Sequence, residues 1–133
     1  MAVLVLDCSA TVAPFLPGEE PVTSLRELAE GGAIVPSNWR LEVGQALLVA
    51  ERRRRISTED RRTILRELAL LPIKVDEQTG ERAWRETLAF AEAETLSLYD
   101  AAYLELAVRS GLPLATKDRA LAAAAMRCGV AVR

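Results

Sequence analysis

Short apolar runs alternate with helix-length, capped segments along this chain, and that alternation restricts the fold more than any other feature. Ala2 to Leu6 is a continuous Val- and Leu-rich run of the kind found in strands buried on both faces. A short helix is predicted over about Ala10 to Leu16, ending at Pro17-Gly18, and another from Pro21 or Thr23 to the stop signal Gly31-Gly32. Ala33 to Val35 reads as a strand. Ser37 or Asn38 can cap a long helix to about Arg54, and Ser57 or Thr58 another to about Leu70, which Pro72 ends. Ile73 to Val75 is a third strand, followed by a helix from about Gln78 to Ala93 and a Ser97-capped helix that ends at Ser110-Gly111. Leu114 to Thr116, a helix over Asp118 to Arg127, and a last strand at Val130 to Val132 complete the series. The pattern predicts an α/β fold, a three-layer α/β/α arrangement whose central, mostly parallel sheet has about five strands. In such sheets ligands bind beyond the carboxyl ends of the strands, where strand order reverses.

With 133 residues, 50% of them apolar and 27% charged, a single globular domain over residues 1–133 is expected. Cys8 and Cys128 have no CxxC spacing and read as reduced thiols. The opening run MAVLVL lacks a basic flank and is broken by Asp7, and no apolar run approaches the ~18 residues of a membrane span. A cytoplasmic protein with no membrane contact is therefore expected. The chain has no histidine. That excludes Ser-His-Asp and Cys-His nucleophile systems, HExxH zinc sites and the paired-imidazole route of metal-free ribonucleases. A net charge of −2 means that any nucleic-acid contact must be local. The obvious basic site is Arg52 to Arg55, with Arg61 and Arg62 close behind.

Four acids occupy positions where chemistry can collect. Asp7 follows the first strand in VLVLDCS; it could be an N-cap, although Ser9 is available for that role. Asp100, in LSLYDAAYLELA, stands three residues after Ser97 with capping-box spacing, yet its helix is apolar on nearly every side, so a carboxylate near its start is costly without a partner. Glu42 lies at the edge of a stripe formed by Trp39, Val43, Ala46, Leu47 and Ala50, beyond the reach of a capping box. Asp118, in PLATKDRAL, follows the fourth strand and opens the last helix, where the helix dipole favours an acid whatever the function. Acids brought to one mouth repel unless a cation or proton intervenes, and a hard cation such as Mg²⁺ or Mn²⁺ takes oxygen ligands.

The segments VLDCSA, VPSNWRLEVGQAL, LSLYDAAYLELAVRSGLPLATKDRAL and GVAV resemble, in order and over nearly the whole chain, a PIN-domain ribonuclease of the VapC toxin type. The resemblance implies that Asp7, Glu42, Asp100 and Asp118 form an acidic cluster holding Mg²⁺ or Mn²⁺. It also implies cleavage of RNA, in several members tRNA, to a 5′-phosphate and a 3′-hydroxyl. A homodimer and a cognate antitoxin whose tail fills the active-site groove are implied as well. Gln45 stands where an Asn is frequent, and Lys117 where an apolar residue or Asn is common; neither departure removes an acid.

Asp7 and Asp100 are the first choice for cation ligands, with Glu42 and Asp118 completing the shell or orienting the attacking water. Ser9 and Thr116 are candidates for supporting those acids. Arg52 to Arg55 step around a helix end and cannot all face one ligand, so they read first as a solvated end, with phosphate or antitoxin contact second. Trp39 and Trp84 read as core or dimer contacts. The competing class is an aspartyl-phosphate receiver or phosphatase-like signalling domain, with Asp76 as acceptor and Lys117 as phosphate partner, although Cys8 and Ser9 stand where such domains carry further acids. A third reading is a PIN-like fold that only binds partners.

Overall fold

The structure is a computed structural model describing residues 2–133. Four parallel strands, β1 (Val5–Leu6), β2 (Ala33–Val35), β3 (Ile73–Val75) and β4 (Leu114–Ala115), lie in the order β3-β2-β1-β4. The chain therefore builds outward from β1 through β2 to β3 and then returns to the opposite side of β1. That reversal puts the switch point between β1 and β4, where Val5 pairs with Leu114 and Leu6 with Ala115.

The expected fifth strand is reduced to one bridge. Val132 pairs in parallel with Leu114, fixed by Leu114 N–H donating to Ala131 O at 2.8 Å and Arg133 N–H donating to Leu114 O at 2.9 Å. β4 is only two residues long, which leaves little ladder for a neighbour to follow.

Helices flank the sheet. The first, α1 (Cys8–Val12), begins two residues before its predicted start because Asp7 itself caps it. Pro14 lacks an N–H, and the chain leaves the helix through turns in which Phe15 and Leu16 donate to Val12 O. The next, α2 (Leu25–Gly31), is capped by Ser24 rather than starting near Pro21 or Thr23. Ahead of α3 (Trp39–Arg52) stands Asn38, whose side chain makes no cap bond. A full capping box between Ser57 and Asp60 opens α4 (Thr58–Leu70). The predicted helix after β3 is present in three pieces: α5 (Thr79–Arg82), a π-helical turn (Ala83–Thr87) and α6 (Leu88–Glu94).

The last two helices are α7 (Leu98–Ser110) and α8 (Arg119–Arg127). Every residue from Ala101 to Ala107 is buried, so α7 is a core element lying against β1 and β4. It stops at Gly111, whose φ of 67° is the left-handed geometry that closes helices. The core joins Leu4 and the strand residues Val5, Leu6, Val35 and Leu114 to Leu47, Tyr103, Leu104 and Leu121 from the helices. Among the described residues no helix is long and apolar enough to cross a membrane.

Candidate active site

Asp7 leaves the end of β1 at the switch point and is only 5% exposed. Its N–H donates to Ala115 O at 3.1 Å, which continues the β1–β4 ladder and sets Thr116 beside it. Oδ1 accepts from Ala10 N–H at 2.8 Å and from the Ser9 hydroxyl at 2.7 Å, while Oδ2 accepts from the Thr116 hydroxyl. Asp7 is thus both the cap and an acid at the mouth, and Ser9 supports it instead of capping in its place. Thr116 Oγ1 also accepts from Asp118 N–H at 3.0 Å, and Ser9 Oγ from Lys117 N–H at 2.8 Å. The two hydroxyls therefore tie the loop after β4 to the start of α1.

Asp118 caps α8, with Oδ1 accepting from Leu121 N–H at 2.9 Å. Asp100 stands at the third position of α7, where its N–H donates to Ser97 Oγ at 3.1 Å. The return arm of a capping box, a carboxylate accepting from the cap's own N–H, is made by Asp60 toward Ser57 at 3.0 Å and is not made by Asp100 toward Ser97. Two stretches with the same Ser-x-x-Asp spacing thus differ in that arm, while the Ser97 hydroxyl still favours the ionised form of the Asp100 carboxylate.

Glu42 reaches the same place from α3. Its Oε2 accepts from Asn38 Nδ2 and from the Tyr103 hydroxyl, the latter at 3.2 Å. Neither Asn38 nor Tyr103 was foreseen as a partner for Glu42. The signals were the four-residue step from Asn38 to Glu42 on one helix face and the three-residue step from Asp100 to Tyr103 on another.

Burial raises the carboxyl pKa values of Asp7, Glu42 and Asp100. Their mutual charge adds to this: Asp118 raises Asp7 and Asp100, Asp100 and Asp7 raise Glu42, and Asp7 also raises Asp100. The hydroxyl and amide donors act in the opposite sense. Burial, followed by the charges of Glu42 and Asp7, pushes the Cys8 thiol up to about 12, so it stays protonated. Both cysteines are free.

The cation chemistry around these acids differs from that elsewhere. Besides Asp7, the buried acids are Asp76 and Glu105, and both are held by Arg109, whose Nη2 lies 2.7 Å from Asp76 Oδ2 and whose Nε lies 2.9 Å from Glu105 Oε2. Among the described residues, none of Asp7, Glu42, Asp100 and Asp118 forms an ion pair with a basic side chain. No three of the described acidic or cysteine side chains form a ready-made coordination shell. The donor set is nevertheless all oxygen, and the Asp7, Glu42 and Asp100 carboxylates are raised by burial and by the charges of neighbouring acids. In chemistry it fits a hard divalent cation.

The alternative phosphoacceptor is engaged elsewhere. Both Asp76 oxygens accept from Arg109, at 3.2 and 2.7 Å, and Lys117 pairs with Glu19 at 3.5 Å. Burial raises the Asp76 carboxyl, but Arg109 outweighs it and holds the net value below the ordinary one. Trp39 is a core residue whose Nε1–H donates to Thr11 Oγ1 at 2.8 Å. Trp84, in the π-helical turn, is 85% exposed and so outside the core, which leaves the other half of its reading, a contact between copies of the chain.

No curated protein matches the chain. Among solved structures it is similar to PAE2754 from Pyrobaculum aerophilum, with 27% identity and a TM-score of 0.72 over 99% of this chain and 92% of that one. FitAcB from Neisseria gonorrhoeae, at 15% identity and a TM-score of 0.60 over 97% of this chain and 95% of that one, shares the fold. The profile of the PIN domain matches residues 4–126, from the first strand to the end of the last helix. The chain therefore belongs to the PIN domain family, whose members are generally metal-dependent nucleases.

Proposed function

We propose that this protein is a Mg²⁺- or Mn²⁺-dependent endoribonuclease and the toxin of a VapC-type toxin–antitoxin pair. One observation carries the catalytic part: Asp7, Glu42, Asp100 and Asp118 lie close enough around the sheet's switch point for their charges to act on one another, and none has a basic partner, while the buried Asp76 and Glu105 have arginines. Burying uncompensated carboxylates costs stability, and a site that keeps them is poised to take up cation charge. RNA as substrate, the antitoxin, a homodimer and a cytoplasmic location are supported by the sequence resemblance. The exposed apolar side chains of Leu41, Trp84, Leu88 and Tyr99 offer surface for partners.

In this reading Asp7 and Asp100 are the principal cation ligands. Asp7 offers Oδ2, since Oδ1 is occupied by Ser9 and Ala10. Glu42, steadied by Asn38 and Tyr103, and Asp118, anchored at the head of α8, complete the shell or accept a proton from the attacking water. A bound divalent cation would supply neutralisation of the phosphate and acidification of water for in-line displacement. Ser9 and Thr116 orient Asp7 and act against the rise that burial imposes on it.

The test is incubation of purified, antitoxin-free protein with total RNA and Mg²⁺ or Mn²⁺, beside a chelator control and the Asp7→Ala and Asp100→Ala variants. Cleavage should require cation and both acids. Cleavage that survives chelation or the Asp100→Ala change would refute the assignment.

A further inference from the structure

The arginine-rich turn between α3 and α4 is not used by the acidic site. Residues 51–67 hold seven arginines against four acids, a local charge of +3 in a chain whose net charge is −2. Some of these arginines have internal duties: Arg61 pairs with Glu51, and Arg55 Nη2 donates to Pro17 O at 3.0 Å. Arg52, Arg53, Arg54 and Arg62 are exposed, and among the described residues none of them forms an ion pair. Arg52 is in the last turn of α3, where the helix dipole accounts for it, but Arg53 and Arg54 lie past the helix end. Arg54 has a φ of 60°, a left-handed conformation that costs a residue with a Cβ about 1 kcal/mol or more and that glycine would relieve. The turn keeps a charge there instead.

Its position relative to the acids is defined at both ends. Glu42 and Arg52 are on the same helix ten residues apart, which is about 15 Å at ~1.5 Å per residue. Alongside, α1 and the segment after it follow α3: Thr11 meets Trp39 at its start and Pro17 meets Arg55 beyond its end. Glu19, two residues past Pro17, pairs with Lys117 next to Asp118. The turn and the mouth are therefore joined by one rim, with carboxylates at one end and uncommitted guanidinium groups at the other. We infer that this turn is an RNA-backbone contact site, binding phosphates several nucleotides away from the scissile bond. The inference rests on the ribonuclease reading. It also answers a difficulty within that reading, since an acidic protein must hold a polyanion beside its own carboxylates. Guanidinium groups suit phosphate oxygens and read no sequence, so the contact supplies affinity and length preference.

The experiment compares wild type with an Arg52→Gln/Arg53→Gln/Arg54→Asn variant, asparagine being chosen because it tolerates a positive φ. Binding of a fluorescent 20-nucleotide RNA is measured by anisotropy in chelator across a salt series. Three lost phosphate contacts should make the salt slope shallower by about 2, which at ~0.1 M salt is about a hundredfold weaker binding. With Mg²⁺, KM for the 20-mer should rise while kcat and the cleavage of a dinucleotide, which has one phosphodiester, stay unchanged. An Arg→Lys triple variant should retain the slope, and an unchanged Tm would establish that the Gln/Asn variant is folded. An unaltered Kd and slope would overturn the inference, as would loss of poly-glutamate binding with RNA binding intact, which would assign the turn to an acidic protein segment. If wild type binds RNA but cleaves none with either cation, the ribonuclease reading fails, and the salt slope still decides the role of the turn.

Discussion

Thr116→Val removes one hydroxyl and keeps the β-branched shape, so it isolates what that hydroxyl does for Asp7. Thr116 is 4% exposed; its Oγ1 donates to Asp7 Oδ2 and accepts from Asp118 N–H at 3.0 Å. Burial raises the Asp7 carboxyl, and the bond from Thr116 is the strongest influence in the opposite direction. A hydrogen bond to an ionised group is worth about 1.5–3 kcal/mol, so its loss should bias Asp7 toward the protonated form by roughly 10- to 150-fold. Cation binding needs the carboxylate, so the acid limb of the rate–pH profile, and of Mn²⁺ affinity, should move to higher pH in the variant. Because the folded Asp7 value lies above the unfolded one, the stability it contributes is full below the unfolded value and is lost as pH rises through the folded value. The variant deepens that loss: metal-free Tm at pH 7.5 should fall by roughly 5–15 °C, taking about 3–5 °C per kcal/mol for a domain of this size, and the deficit should shrink as the buffer is acidified. Thr116→Ser should restore both properties. The readouts are pH-dependent cleavage, Mn²⁺ titration and thermal melting. A folded Thr116→Val protein whose acid limb stays in place or moves to lower pH would refute the account of Asp7.

Further outcomes follow from the same geometry. Arg109→Met strips the buried Asp76 of its cation and leaves Glu105 only the longer contact to Arg82, and it should destabilise the protein by about 3–5 kcal/mol in denaturant melts. Because Arg109 holds Asp76 below its ordinary value, that contribution is present at neutral pH and is lost as pH falls through the folded Asp76 value, so the deficit should narrow in acid. Asp100→Asn should abolish cation-dependent cleavage while raising the metal-free Tm at pH 7.5 by up to about 3 °C, a gain kept below ~1 kcal/mol because solvent screens the half-buried group. Thr11→Val leaves the buried Trp39 N–H without its acceptor and should cost about 1–3 kcal/mol by the same melts, with the circular-dichroism spectrum retained.

The legible part of this structure was the part set by neighbours in sequence. The runs at residues 33–35 and 73–75 became strands without change, and Ser97 and Gly111 bound α7 as capping chemistry predicts. The errors arise where a distant group decides. Pairing with a two-residue β4 turned the last run into a bridge, and the helix predicted after β3 is interrupted by a π-helical turn. The Tyr103 hydroxyl was hidden within an apolar run because a side chain can be fully buried in the core and still send its polar end to a carboxylate.

Asp60 and Asp100 show where local reasoning stops. Both follow a serine by three residues at the head of a helix, and both N–H groups bond that serine. On sequence alone each carboxylate has the same claim to return to the cap. Asp60 is exposed at the arginine turn and returns, and its box is a stability device. The Asp100 carboxylate feels the charges of Asp118 and Asp7 as well as the Ser97 hydroxyl, and does not return to the cap's N–H. Closing its box would add one hydrogen bond, about 0.5–1.5 kcal/mol, but would remove a carboxylate from the mouth. The open box together with like-charge repulsion is therefore a stability cost at Asp100 that a bound cation can offset. For this reason loss of activity on mutation is a weaker sign of a site residue here than loss of activity combined with a gain in metal-free stability.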